Sequence, residues 1–255
     1  MNILALKLIL APLIIGSASL AGRRWGPAVS GWLVALPLTS GPIIFFVAVS
    51  EGISFAARSA LGVLSGGISV VIYAVVYPRL AVRFPWQVSI TGSLFAFLLS
   101  TLFFQNVELP FWLVSPAVLL LITGGLSRMP DEKVETGNAT LSKWDIPLRI
   151  LIGTGIILLI TGIAPFIGPR LTGLLTTIPL YSTILVIFAH RSHGPAAAGN
   201  VMRGLLFGLF AFTGFFIVLS LLIERTSLAV SFGLAALTAL AVQGTSLFIL
   251  RKLHG

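Results

Sequence analysis

GPAVSGWLVALPLTS (26–40) and GPRLTGLLTTIPLYS (168–182) stand 142 residues apart, and setting one on the other aligns them without a gap. Gly26, Pro27, Gly31, Leu33, Pro37, Leu38 and Ser40 meet Gly168, Pro169, Gly173, Leu175, Pro179, Leu180 and Ser182. The register continues downstream, with Ser50, Gly52, Ala56, Gly62, Leu64 and Gly66 opposite Ser192, Gly194, Ala198, Gly204, Leu206 and Gly208. Upstream, Leu6 and Lys7 meet Leu148 and Arg149. Glycine and leucine are abundant enough to coincide by chance. An ungapped register holding two Gly-Pro pairs and two later prolines is poorly explained that way, so the chain is predicted to carry two copies of one unit.

Both copies lie in apolar surroundings. Of 255 residues, 57% are hydrophobic and 9% charged, whereas a soluble domain is roughly 45–50% apolar and about 25% charged. The long apolar runs predict an all-α polytopic membrane protein. With no cysteine, disulfides, thiolate metal sites and cysteine nucleophiles are excluded. The net charge of +9 comes from basic residues scattered singly and in pairs between apolar runs. They read as orientation signals rather than as a nucleic-acid surface.

Nine spans are predicted, at 3–20, 27–49, 57–77, 86–105, 110–126, 147–166, 170–190, 199–222 and 228–249. The first resembles a signal peptide, but Lys7 lies within the apolar run and the segment has a counterpart inside the chain, so it reads as a transmembrane helix. The fifth is short, and charge decides it, because short cytoplasmic loops collect Lys and Arg. With nine crossings and the N-terminus outside, twelve basic residues fall inside and four, Lys7, Arg58, Arg170 and Arg225, outside. Without the fifth crossing the split is six against ten. The expected organisation is repeat 1 (1–106), a linker helix (107–127), a cytoplasmic loop (128–146) and repeat 2 (147–255). Five crossings before the second copy turn it over, giving 4+1+4 inverted repeats, N-terminus out and C-terminus in. The linker's Asn138-Ala139-Thr140 matches a glycosylation acceptor but falls on the cytoplasmic side.

Pro37 lies eleven residues after Gly26, roughly 16 Å along a helix, near the middle of a hydrocarbon layer about 30 Å thick. Pro179 reaches the same depth from the other face. Each proline lacks an N–H and clashes with the carbonyl four residues back, on Leu33 and Leu175. Backbone freed at that depth must find partners or line a wet cavity. The nearby Thr39, Ser40, Thr176, Thr177, Tyr181, Ser182 and Thr183 hydroxyls suit either outcome. Paired breaks of this kind hold substrate in inverted-repeat transporters, so Pro37, Thr39, Ser40, Thr176, Thr177, Pro179, Tyr181 and Ser182 form the predicted substrate site. Helices restarting at the prolines would turn positive N-terminal ends toward it, favouring an anionic or strongly polar group. The lack of Asp or Glu deep in any span argues against multidrug-cation antiport.

Gly62 and Gly66 form a GxxxG matched by Gly204 and Gly208; close packing of the two repeats is the favoured reading, and a homodimer seam the rival. Glu51 and His193 are candidate gate residues at opposite mouths. His190 and His193 lack a third ligand and read as solvated, so no metal is expected. Arg58 and Arg203 suit headgroup snorkelling better than anion capture. Trp25, Trp86, Trp112 and Trp144 fit interfacial belts, and Trp32 lies deeper.

The proline-interrupted second span, Ser/His-rich break and Gly-rich third span resemble the small bacterial GlpM-like inner-membrane proteins. IGPRLTGLLTTIPLYSTILVIFAHRSHG (167–194) and RGLLFGLFAFTGFFIVLSLLI (203–223) carry the likeness most clearly. Those relatives are about one repeat long and some are regarded as inserting in both orientations. The resemblance implies a fused, fixed-orientation pair in an inner membrane and supplies architecture more than activity.

The expected function is a secondary transporter or facilitator for a small polar, preferentially anionic, solute. A channel or lipid-linked anion translocase is the first alternative, a non-transporting subunit of a larger complex the second. Expected partners are a small-molecule or ion substrate and membrane lipid, without nucleic acid. No catalytic dyad or nucleotide loop rises above chance, so neither enzymatic activity nor a cofactor is expected.

Overall fold

The computed structural model describes residues 3–25, 37–129 and 145–254. Gly26, Pro27, Gly31, Trp32 and Leu33 of the first copy, and the linker from 130 to 144 with Asn138 and Trp144, lie outside the described residues. All described secondary structure is helical: α1 (Ile3–Trp25), α2 (Ser40–Glu51), α3 (Ile53–Ala81), α4 (Trp86–Asn106), α5 (Phe111–Leu126), α6 (Asp145–Leu175), α7 (Leu180–Leu222) and α8 (Leu228–His254).

Prolines and glycines set the boundaries. Pro85 and Pro110 precede α4 and α5 with extended backbone, where a missing N–H removes no ladder bond. α6 and α7 each turn sharply at a glycine, Gly168 (φ 78°, ψ 167°) and Gly194 (φ 83°, ψ −176°). The third such residue, Gly52 (φ 94°, ψ 167°), separates α2 from α3. Gly52 and Gly194 are the pair related by the 142-residue offset, and both take a conformation essentially confined to glycine. Gly26, the partner of Gly168, is outside the described residues.

Ile53–Ala81, Trp86–Asn106, Ile146–Leu222 and Leu228–Thr245 are long and apolar enough to cross a bilayer. The 77-residue third stretch would measure about 115 Å if straight. It is instead turned at Gly168 and Gly194 and unwound between Leu175 and Leu180. α5, with 16 residues, spans only about 24 Å.

α3 is the axis of the bundle. It is 78% buried over its apolar stretch, against 33% for α4 and 22% for α8, and it packs against α2, α4, α5, α6 and α7. α8 leans on α7, and α1 on α6. α4 and α8 turn Phe95, Leu98, Leu102, Phe103, Leu237 and Leu240 outward. Apolar surface this extensive is foreign to a soluble monomer and suits contact with lipid, so the chain is a helical membrane protein.

One close helix contact involves two glycines. A Cβ on Gly62 would stand 2.6 Å from the Arg170 carbonyl oxygen and 3.2 Å from the Gly173 Cα. A Cβ on Gly173 would collide with the Ser59 carbonyl. Small residues therefore let the α6 arm 169–175 lie directly on α3. Gly204 differs from the expectation of a matching contact: it is exposed, and among the described residues nothing lies within 4 Å of where its Cβ would stand. The segment at the corresponding offset, 27–33, lies outside the described residues. Gly208 is buried.

Candidate functional site: a hydroxyl-lined cavity between interrupted helices

The interruption between α6 and α7 is built from local hydrogen bonds. Pro179 has no N–H to offer the Leu175 carbonyl, which accepts instead from Ile178 N–H at 3.2 Å. Thr177 N–H likewise bonds Leu174 O at 3.2 Å, so the arm tightens into i to i+3 turns. The Thr176 and Thr177 hydroxyls donate to Gly173 O (2.8 Å) and Leu174 O (2.7 Å). Beyond the break, Pro179 O accepts from Thr183 N–H (2.9 Å), Thr183 Oγ1 (2.7 Å) and Ser182 Oγ (3.0 Å). α7 restarts there.

The first copy restarts with the same bond, Gly41 N–H to Pro37 O at 2.9 Å. α2 nevertheless begins at Ser40, three residues after its proline, whereas α7 begins one residue after Pro179. Thr39, at φ −106°, makes no side-chain cap bond.

Between these ends lies a cavity of about 80 Å³, bounded by Thr39 and Ser40 before and in α2, residues 176–182 at the break, Val70 of α3, and Leu205, Leu209 and Phe212 of α7. A water needs about 10–15 Å³ on this measure, so several waters or one small solute would fit. Seven of the eight expected substrate residues line it: Thr39, Ser40, Thr176, Thr177, Pro179, Tyr181 and Ser182. Pro37 does not; its carbonyl holds the first turn of α2 instead. No charged side chain lines the wall among the described residues. The apolar wall was not foreseen. Its signal was present in the GxxxG faces, since Val70 and Phe212 each lie one turn beyond the last glycine, Gly66 and Gly208.

Behind the cavity, α3 is tied to α7 by two buried tyrosines one turn apart. The Tyr73 hydroxyl lies 2.9 Å from Thr183 Oγ1. Thr183 directs its only hydroxyl hydrogen to Pro179 O, so Tyr73 is the donor. Tyr77 meets His190 Nδ1 at 2.9 Å with their rings edge-on.

The gate candidates sit apart from the cavity. His193 is exposed, whereas His190 has a tertiary partner. Glu51 is half-buried and acts electrostatically on Lys7. Lys7 is buried in α1, with its ammonium 5.8 Å from the Phe46 ring. Arg170 pairs with Glu108 at 3.4 Å, and Arg191 stacks over Trp86 at 5.7 Å. Arg58 is exposed and Arg203 half-buried; neither lines the cavity.

No family model matches this chain, and no curated protein or solved structure does.

Proposed function

We propose that the protein is a secondary transporter or facilitator for a small polar, preferentially anionic, solute. The solute binds among Thr39, Ser40, Thr176, Thr177, Tyr181 and Ser182, and access alternates as the two repeats rock about the breaks. The observation that carries this reading is the cavity where α2 begins and α6 gives way to α7, bounded by six hydroxyl-bearing residues and a larger apolar wall. Neutral oxygens with no fixed countercharge bind without trapping, which suits a site that must release its solute on either side.

The proposed architecture is nine crossings in an inner membrane, arranged as 4+1+4 inverted repeats like a fused pair of GlpM-like units. The shared backbone conformation of Gly52 and Gly194, and the shared first bond at Pro37 and Pro179, support the repeat. Three contacts join helix ends that the charge pattern puts on a common side. Glu108 and Arg170 meet on the side assigned outside; Tyr77 with His190, and Trp86 with Arg191, meet on the side assigned inside.

The test is uptake by proteoliposomes against a panel of small organic and inorganic anions, with Pro37→Ala and Pro179→Ala as variants. Saturable uptake of a panel member with altered kinetics in either variant is expected. Unchanged kinetics in both would remove the site assignment, and absence of uptake across the panel would remove the anionic preference.

A further inference from the structure

The cavity's two sources of oxygen are chemically unlike, and we infer that the Thr176, Thr177 and Ser182 side is a subsite for a monovalent cation bound together with the solute. This inference rests on the transport reading above and names its coupling ion.

A hydroxyl has one hydrogen to donate and two lone pairs to accept with. Thr176, Thr177 and Ser182 each direct that hydrogen to a backbone carbonyl, of Gly173, Leu174 and Pro179 respectively. Only lone pairs remain for the cavity. In an unbroken helix the Thr176 carbonyl would accept the Leu180 N–H, but that N–H bonds Ile178 O at 2.9 Å. Its oxygen is left without that N–H. An anion presented to this wall would meet lone pair against lone pair, whereas a cation would find a partial replacement for its hydration shell.

The α2 side has the opposite character. Among the described residues no carbonyl takes the Thr39 hydroxyl hydrogen, and the Ser40 N–H opens the first turn of a 12-residue helix, where amide donors lack intrahelical partners. An anionic group fits there. Unwound carbonyls and the C-terminal end of a half-helix are a recurring seat for sodium in transporters with broken helices, with half-helix N-termini facing the anionic group.

Charge selects among cations. No carboxylate lines the cavity among the described residues, and divalent ions in oxygen sites lean on carboxylates. A monovalent ion can draw its countercharge from the co-bound solute. That reconciles cation binding with spans that contain no deep Asp or Glu, and it makes binding of ion and solute mutually reinforcing.

The experiment is equilibrium binding of radiolabelled sodium, and separately of rubidium, to purified full-length protein in detergent, with choline chloride holding ionic strength constant and its chloride supplying the co-bound anion. Saturable binding of one of the two ions is expected, displaced by the same unlabelled ion and not by choline. Thr177→Val keeps the side-chain shape, and Ser182→Ala removes one oxygen at a different point. Each is expected to weaken binding about tenfold, near 1.4 kcal/mol, while Thr91→Val and Thr123→Val, exposed hydroxyls of α4 and α5 away from the cavity, leave it unchanged. Absence of saturable binding of either ion in the wild type overturns the inference, as does binding unaltered in both the Thr177 and Ser182 variants. Elution of each variant at the wild-type volume guards against misfolding. Solute uptake that persists in choline would remove the ion subsite and leave transport standing; ion binding without uptake of any solute would do the reverse.

Discussion

Gly66 stands so close to Thr177 that a Cβ on the glycine would lie 2.5 Å from the threonine Oγ1 and 2.7 Å from its Cγ2. The helix at the centre of the bundle therefore touches the cavity wall through the absence of a side chain. Four residues earlier, Gly62 faces not a movable side chain but the Arg170 carbonyl. Gly62→Ala must displace backbone, and is expected to lower stability by about 1–3 kcal/mol. Gly204→Ala has open space among the described residues and should be neutral or up to about 1 kcal/mol stabilising, because alanine is the better helix former. Denaturant unfolding in detergent separates the two; equal effects would contradict the packing described.

Gly52 and Gly194 invite a different substitution. Among the described residues nothing lies within 4 Å of a Cβ at either position, so alanine there is opposed by backbone conformation. At φ 94° and 83° that strain is expected to cost about 1–3 kcal/mol each. Gly162, exposed within α6 and equally open, is the control, with no loss expected. A tolerated alanine at both turns would mean that the chain can pass through them with ordinary helical backbone.

Tyr73 and Thr183 are expected to couple. Tyr73→Phe removes the donor and leaves Thr183 bonded to Pro179 O, for a loss of about 1 kcal/mol. Thr183→Val removes the acceptor and one of the donors on that carbonyl. Ser182 lies within reach of the same tyrosine hydroxyl, so part of the second loss is recovered locally. The double variant should lose less than the sum of the singles by about 0.5 kcal/mol or more. Strict additivity in denaturant unfolding would show that the 2.9 Å contact contributes nothing to stability.

The 142-residue register made much of this legible before any coordinates, because it rests on backbone chemistry. Proline at 37 and 179 and glycine at 52 and 194 constrain the chain wherever they occur, so the restarts and turns follow from residue type. Hydroxyls next to the second break bond nearby carbonyls, as Thr176, Thr177 and Ser182 do, and seven expected residues line one cavity. Tertiary choices were not legible. Nothing local distinguishes His190 from His193 as the partner of Tyr77, and Val70, Leu205 and Leu209 resemble every other apolar residue on their helices. The asymmetry between Gly62 and Gly204 also escaped the pattern, since identical motifs say nothing about what lies opposite each.

Orientation is testable directly, because the chain contains no cysteine and single cysteines can be introduced without first removing others. Glu108 is 86% exposed in its side chain and sits between α4 and α5; Arg225 follows α7 and is exposed. Glu108→Cys and Arg225→Cys are expected to react with a membrane-impermeant maleimide added outside intact cells. Arg83→Cys, between α3 and α4, and Arg128→Cys, after α5, should react only once the membrane is opened. The Glu108 and Arg128 positions bracket α5, so labelling both from the same side would mean that α5 does not cross. The second repeat would then lie parallel to the first, and the two proline breaks would no longer approach the cavity from opposite faces. Opposite-side labelling is the outcome that the proposed 4+1+4 arrangement requires. Loss of the Glu108–Arg170 pair should not disturb the readout, because an exposed ion pair is worth about 0–1 kcal/mol.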